Sequence, residues 1–142
     1  MLRRVIIAAA VVHFSLAAVS LYRAETQIYE ATLGPVERVV KPGSSVEAEF
    51  VTAGRTPVHA RIELIQGSHV EVLATTVIRE NKHFFYDFRS KHASLTATVP
   101  ADILSRFSPG RAVIQAIGEG GSQLLYVPPP KFSEAAIQLA PR

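Results

Sequence analysis

The chain has no cysteine among its 142 residues. That excludes a disulfide staple, a thiolate metal site, a cysteine nucleophile and the acylated cysteine of a bacterial lipoprotein anchor. The fold must be held by its core alone. Asparagine is nearly absent as well: Asn81 stands alone and is followed by Lys82-His83, so no N-glycosylation acceptor is present. A charge excess is also missing. The formal net charge is +3, with 15 Lys and Arg against 12 Asp and Glu. Without residues 1–20, and so without Arg3 and Arg4, 13 basic side chains face 12 acidic ones, a net of +1. A near-neutral domain lacks the clustered positive charge that dominates nucleic-acid affinity, so no nucleic-acid partner is expected.

The chemical motifs are missing too. No HxH or HExxH spacing occurs among the histidines at 59, 69, 83 and 92, and a metal centre needs three or four converging ligands. There is no Gly-x-Ser-x-Gly elbow. The glycine-rich stretch Gly118-Glu-Gly-Gly121 lacks the Lys-Ser/Thr of a phosphate loop and reads as part of a hairpin loop over 118–122. Glu47 and Glu49 share one face of a strand, the ordinary pattern of a solvated surface. No catalytic residue, no metal ligand and no cofactor is expected, and the chain reads as non-enzymatic.

What the sequence does contain is alternation. Val46, Ala48 and Phe50 oppose Glu47 and Glu49; Val58, Ala60, Ile62 and Leu64 oppose His59, Arg61 and Glu63. Side chains two apart share a face only in a strand, so these are two half-buried antiparallel strands. Further strands follow at Val70–Ile78, Phe84–Phe88, Leu95–Val99, Arg111–Ile117 and Leu124–Val127, with a short one at Val36–Val40 and a weak edge strand at Thr26–Thr32. Lys41-Pro42-Gly43-Ser44 has the proline and glycine of a type II turn. One helical turn over 101–107 would place Ile103, Leu104 and Phe107 on one face. Turn signals about every 8–12 residues with no long helical period between them predict an all-β domain. The specific expectation is an immunoglobulin-like antiparallel β-sandwich of seven to eight strands with that one helical turn.

The domain plan has four segments. Arg3-Arg4 followed by uncharged residues from Val5 to Tyr22 reads as a signal peptide over 1–20, with a cut after Ser20, or as an uncleaved signal-anchor. An organelle presequence is the weaker alternative. Residues 21–35 are an N-terminal extension and 36–127 the sandwich. Residues 128–142 read as a Pro-rich linker and tail with one weak helical turn over 133–139.

One stretch stands above background for binding. Arg79 to His92 holds four basic residues, two histidines and four aromatics. If Phe84, Tyr86 and Phe88 face the core, then His83, Phe85, Asp87 and Arg89 line the outer face as a platform for a sugar ring or a protein partner.

The succession of signals resembles a known type. Lys41-Pro-Gly-Ser-Ser-Val46, then Ile62-Glu-Leu64, then Thr98-Val-Pro-Ala-Asp-Ile-Leu104 and Ala112-Val-Ile-Gln-Ala116 are similar to the immunoglobulin-like N-terminal domain of fungal secreted, cell-surface proteins of the Knh/Kre, Ser/Thr-rich type. Phe50 lies in the region where such modules carry a tryptophan. The resemblance implies a secreted or cell-surface module and supplies no catalytic residues. The expected function is a secreted, non-catalytic binding or structural module whose partner is a cell-wall glycan or another extracellular protein. A membrane is expected as a partner only if the N-terminal segment stays uncleaved. The alternatives are a membrane-anchored accessory subunit of a larger assembly and a small secreted hydrolase.

Overall fold

A computed structural model describes residues 2–26, 28–53, 58–79, 91–120 and 129–141. Among them the protein is mostly β. The order is α1 (Leu2–Thr26), β1 (Ile28–Leu33), β2 (Val39–Val40), β3 (Ser45–Ala53), β4 (Val58–Gln66), β5 (His69–Ile78), β6 (Lys91–Thr98), α2 (Ala101–Leu104), β7 (Gly110–Gly120) and β8 (Lys131–Leu139). The strands form a three-stranded sheet, β1-β3-β6, and a curled five-stranded sheet, β2-β8-β7-β4-β5. Every pairing is antiparallel except β2 with β8, which is parallel.

The two alternating runs fall where their pattern requires. Val46, Ala48 and Phe50 of β3 and Val58, Ala60, Ile62 and Leu64 of β4 are buried in one cluster with Ala97, Ile114, Ala116, Ile137 and Leu139. Both sheets therefore contribute to one interior. Each Val, Leu, Ile or Phe fully removed from water contributes about 1.5–3 kcal/mol of transfer free energy, which makes a cysteine-free core sufficient.

The turn at Lys41–Ser44 closes as its residues dictate. Ser44 N–H donates to the Lys41 carbonyl at 3.0 Å, and Gly43 takes φ +89°. Proline at the second position and a left-handed glycine at the third are the requirements of type II. Ser44 Oγ then donates to Glu37 Oε2 at 2.7 Å, fixing the approach to β2. The chain enters β6 antiparallel to β3 and leaves it at Val99-Pro100, where α2 lays Ile103 and Leu104 against the core beside buried Phe107.

Three expectations need correcting. Residues 131–139 are neither tail nor helical turn; they form β8, paired with β7 along its length from Gly110↔Leu139 to Gly118↔Lys131. Ser133, Ala135, Ile137 and Leu139 alternate at period two and turn inward, so burial of the last two outweighs the weak helical tendency of the central alanines. Gly118 to Gly120 are not loop but the end of β7, opposite Ala60, His59 and Val58. Both glycines are buried there. Of the strand expected at 36–40, only Val39 and Val40 are extended in register, because their sole partner is the end of β8. The expected strands at 84–88 and 124–127 lie outside the described residues.

α1 stands apart from this core. Its apolar side chains Val5, Ile6, Ile7, Val11, Val12, Phe14 and Leu16 are each more than half exposed, and none joins the core cluster. Among the described residues no helix is long and apolar enough to cross a membrane.

Candidate functional site

The two sheets present different outer faces. On β3 and β6 the outward positions are Glu47, Glu49, Ser94 and Thr96, with Ser94 Oγ donating to Glu47 Oε1 at 3.2 Å. This is a solvated polar surface. The outer face of the five-stranded sheet is mixed, and its residues fall in rows fixed by the register.

One row joins Arg61 of β4 to Ile117 of β7 and Phe132 of β8. Arg61 Nη2 donates to Glu119 Oε1 at 2.8 Å, and Arg61 Nε donates to Glu63 Oε1. The Glu119 hydrogen bond is the larger influence that raises the Arg61 pKa, ahead of the opposing cost of burial and the added support of Glu63. The same bond from Arg61 holds the Glu119 carboxyl below its ordinary value, with His59 contributing a smaller charge effect. Glu63 is 8% exposed, and a buried carboxylate requires such a partner. Arg61 is thus committed to two carboxylates. The cluster ties β4 to β7 and leaves no free acid–base pair.

Farther along the same face lies a groove of about 660 Å³, open to solvent along one side. Ile65, Val113 and Ala136 form its apolar floor, one from each of β4, β7 and β8, in a single register row. Arg38 and Arg111 line one end of it with Gln138. Gln138 lies opposite Arg111 in the β7–β8 register, and its N–H donates to the Arg38 carbonyl at 2.8 Å. Arg111 thus stands opposite Gln138 on β7, while on the β2 side the residue opposite Gln138 is Val39, with Arg38 just before it. Neither arginine has a carboxylate partner among the described residues. Gln66 closes the rim: its Nε2 donates to the Ser108 and Arg111 carbonyls at 2.9 and 3.1 Å, and its Oε1 accepts from Ser108 N at 3.0 Å.

Next to that rim, Arg106 Nη1 donates to Glu71 Oε1 at 3.0 Å, and the His69 ring meets Phe107 edge-on at 4.6 Å. These contacts pin the segment after α2 to β5. A second crevice under α2, about 150 Å³ between Val40, Leu104, Phe107 and Leu139, is mainly an opening onto the core. Among the described residues no group of three or more His, Asp or Glu is placed to hold a metal ion.

His83, Phe85, Asp87 and Arg89, the binding platform expected from the sequence, lie outside the described residues. The groove escaped the sequence reading because it depends on β8. Unless residues 131–139 form a strand, nothing places Ala136 beside Val113 or Gln138 opposite Arg111. The signal was the inward series Ser133, Ala135, Ile137, Leu139, which leaves Phe132, Glu134, Ala136 and Gln138 on the outer face.

No family model matches the chain, and no curated protein matches it. Among solved structures it is similar to the sporulation control protein Spo0M of Bacillus subtilis, at 11% identity over 82% of this chain and 50% of that one, with a TM-score of 0.41. It is also similar to a β-glucosidase of Erythrobacter marinus (12% identity, 80% of this chain, 16% of that one, TM-score 0.43). A third similar structure is a putative late embryogenesis abundant protein (13% identity, 96% and 88%, TM-score 0.39). The chain spans half the length of the Spo0M chain.

Proposed function

We propose that the protein is an exported, non-catalytic β-module that binds a partner outside the cytosol, built on an immunoglobulin-like sandwich plan. The observation that carries export is α1. Its apolar side chains from Val5 to Leu16 stand in solvent and none joins the core cluster, and behind Arg3 and Arg4 the segment has the composition of a leader. The sandwich plan is supported by the common interior of the two sheets, and the Knh/Kre-type resemblance by the type II turn before β3 and by Val99-Pro100 before α2. A cell-wall glycan or another extracellular protein is the partner class, with His83, Phe85, Asp87 and Arg89 as its platform.

Sequencing the N-terminus of the protein recovered from its own source tests export. A start at Leu21 in an exterior fraction is expected; a start at Met1 in the cytosol contradicts it. Exchanging Phe85 and Arg89 together for alanine should weaken glycan or partner capture without lowering stability, and unchanged capture removes the platform. A second reading is a membrane-tethered accessory subunit, with the uncharged run from Val5 to Tyr22 as its tether. Carbonate extraction separates the two, since only the tethered form stays in the pellet.

A further inference from the structure

We infer that the groove on the outer face of the five-stranded sheet binds an anionic amphiphile: a small molecule with a carboxylate head and an unbranched aliphatic body. The inference rests on reading the domain as a binding module and is independent of export.

The size of the groove points to a small molecule. About 660 Å³ lies inside the roughly 300–1,000 Å³ that small-molecule sites occupy. Its floor supplies the apolar contact. Ile65, Val113 and Ala136 run in one row across three strands, with neighbouring strands about 4.8 Å apart. An aliphatic chain lying across the strands touches all three and frees that row from water. One end of the groove supplies the charge. Arg111 lies opposite Gln138 on β7, and Arg38 precedes Val39, the residue opposite Gln138 on β2, so a carboxylate head placed beside Gln138 has two arginines of the groove lining as cationic partners.

Charge complementarity selects an anion. Glu37, beside Arg38 in sequence, is already bonded to Ser44 Oγ. Glu134 is two same-face steps down β8 from Gln138. Arg61, by contrast, is neutralised twice over. Arg38 and Arg111 have no carboxylate partner among the described residues, and guanidinium–carboxylate bonds are among the strongest hydrogen bonds available to a protein. The rim is also set in advance. Gln66 is held by three hydrogen bonds to the Ser108–Arg111 segment, so Arg111 is carried on backbone that needs no ordering when a ligand arrives.

The test is calorimetric titration of the full chain with three probes, each below its aggregation threshold. Dodecanoate carries both features, acetate the head alone, and a dodecyl glycoside the chain with a neutral head. Saturable binding of dodecanoate at one site is expected, with acetate and the glycoside each at least tenfold weaker. Arg38→Gln with Arg111→Gln should weaken dodecanoate at least tenfold and leave the glycoside unchanged. Ala136→Glu, at an exposed position on the floor, should abolish dodecanoate binding while the thermal transition persists. Absence of saturable dodecanoate binding overturns the inference, and so does a glycoside that binds as tightly as dodecanoate. Glycan or protein capture that persists while dodecanoate fails to bind removes the groove and leaves the binding-module reading standing.

Discussion

Replacing Arg61 by alanine should destabilise the domain by about 2–3 kcal/mol, and most of that loss should come through Glu63 rather than Glu119. Arg61 bonds both carboxylates, but their surroundings differ. The Glu119 side chain is 43% exposed, whereas that of Glu63 is 10% exposed. An exposed ion pair contributes about 0–1 kcal/mol. Removing one partner of a buried pair costs about 3–5 kcal/mol, because the remaining charge is left without a partner. Arg61 is itself 27% exposed, so water reaches the site and the expected cost falls below that range. Although Glu119 acts more strongly on the Arg61 pKa, the buried carboxylate governs stability. Urea unfolding at neutral pH, followed by circular dichroism, measures the loss. Repeating it in a Glu63→Gln background isolates the pair: there Arg61→Ala should cost only about 1 kcal/mol, because no buried carboxylate is stranded. An equal cost in both backgrounds would refute the reasoning.

Three further outcomes follow from the same geometry. Ile137→Ala should cost about 2–5 kcal/mol in chemical denaturation, since Ile137 is 5% exposed inside a packed cluster; a residue in a tail would cost nothing measurable. Thr52→Val should stabilise by about 1 kcal/mol, because Thr52 Oγ1 is buried with no hydrogen-bond partner among the described residues; an unchanged urea midpoint would show that the hydroxyl is satisfied. The Glu119 carboxyl is held below its ordinary value, chiefly by the Arg61 hydrogen bond. Its contribution is therefore fully present above the ordinary carboxylate pKa and lost as pH falls through the lowered one. Melting temperatures between pH 6 and pH 3 should fall less steeply in Glu119→Gln than in the parent protein.

Legibility in the sequence followed burial on one face. β3 and β4 each bury one side fully, so Val46, Ala48 and Phe50, and Val58 through Leu64, announce their period without help. The Pro42-Gly43 turn was equally plain because only one residue order satisfies it. β8 was hidden for a physical reason. Its inward positions begin with Ser133 and Ala135, small groups that are only half-buried, and the apolar signal arrives only at Ile137 and Leu139. Beside three prolines and two adjacent alanines, that pattern resembles a frayed end. β7 was read short because glycine carries no side chain to alternate: Gly118 and Gly120 are strand residues identified only by their partners across the ladder. The groove needed all of this at once, since its arginines are 73 positions apart in the chain, at 38 and 111, and line one groove only because β8 lies between β2 and β7. Arg61 was legible as an outward residue of β4; its bond to Glu119, across from a stretch that reads as loop, was not.

Amide hydrogen exchange, resolved by residue, tests most directly the claim that one interior is closed by both sheets, with β8 as an internal strand. Amides in 112–117 and at Ser133, Ala135 and Ile137, the β8 positions whose N–H groups face β7, should exchange together, at the slow rate of those in 60–65, because the three segments open only when the whole domain unfolds. Exchange of Ser133, Ala135 and Ile137 at the rate of an unprotected peptide, with 60–65 still slow, would contradict the account.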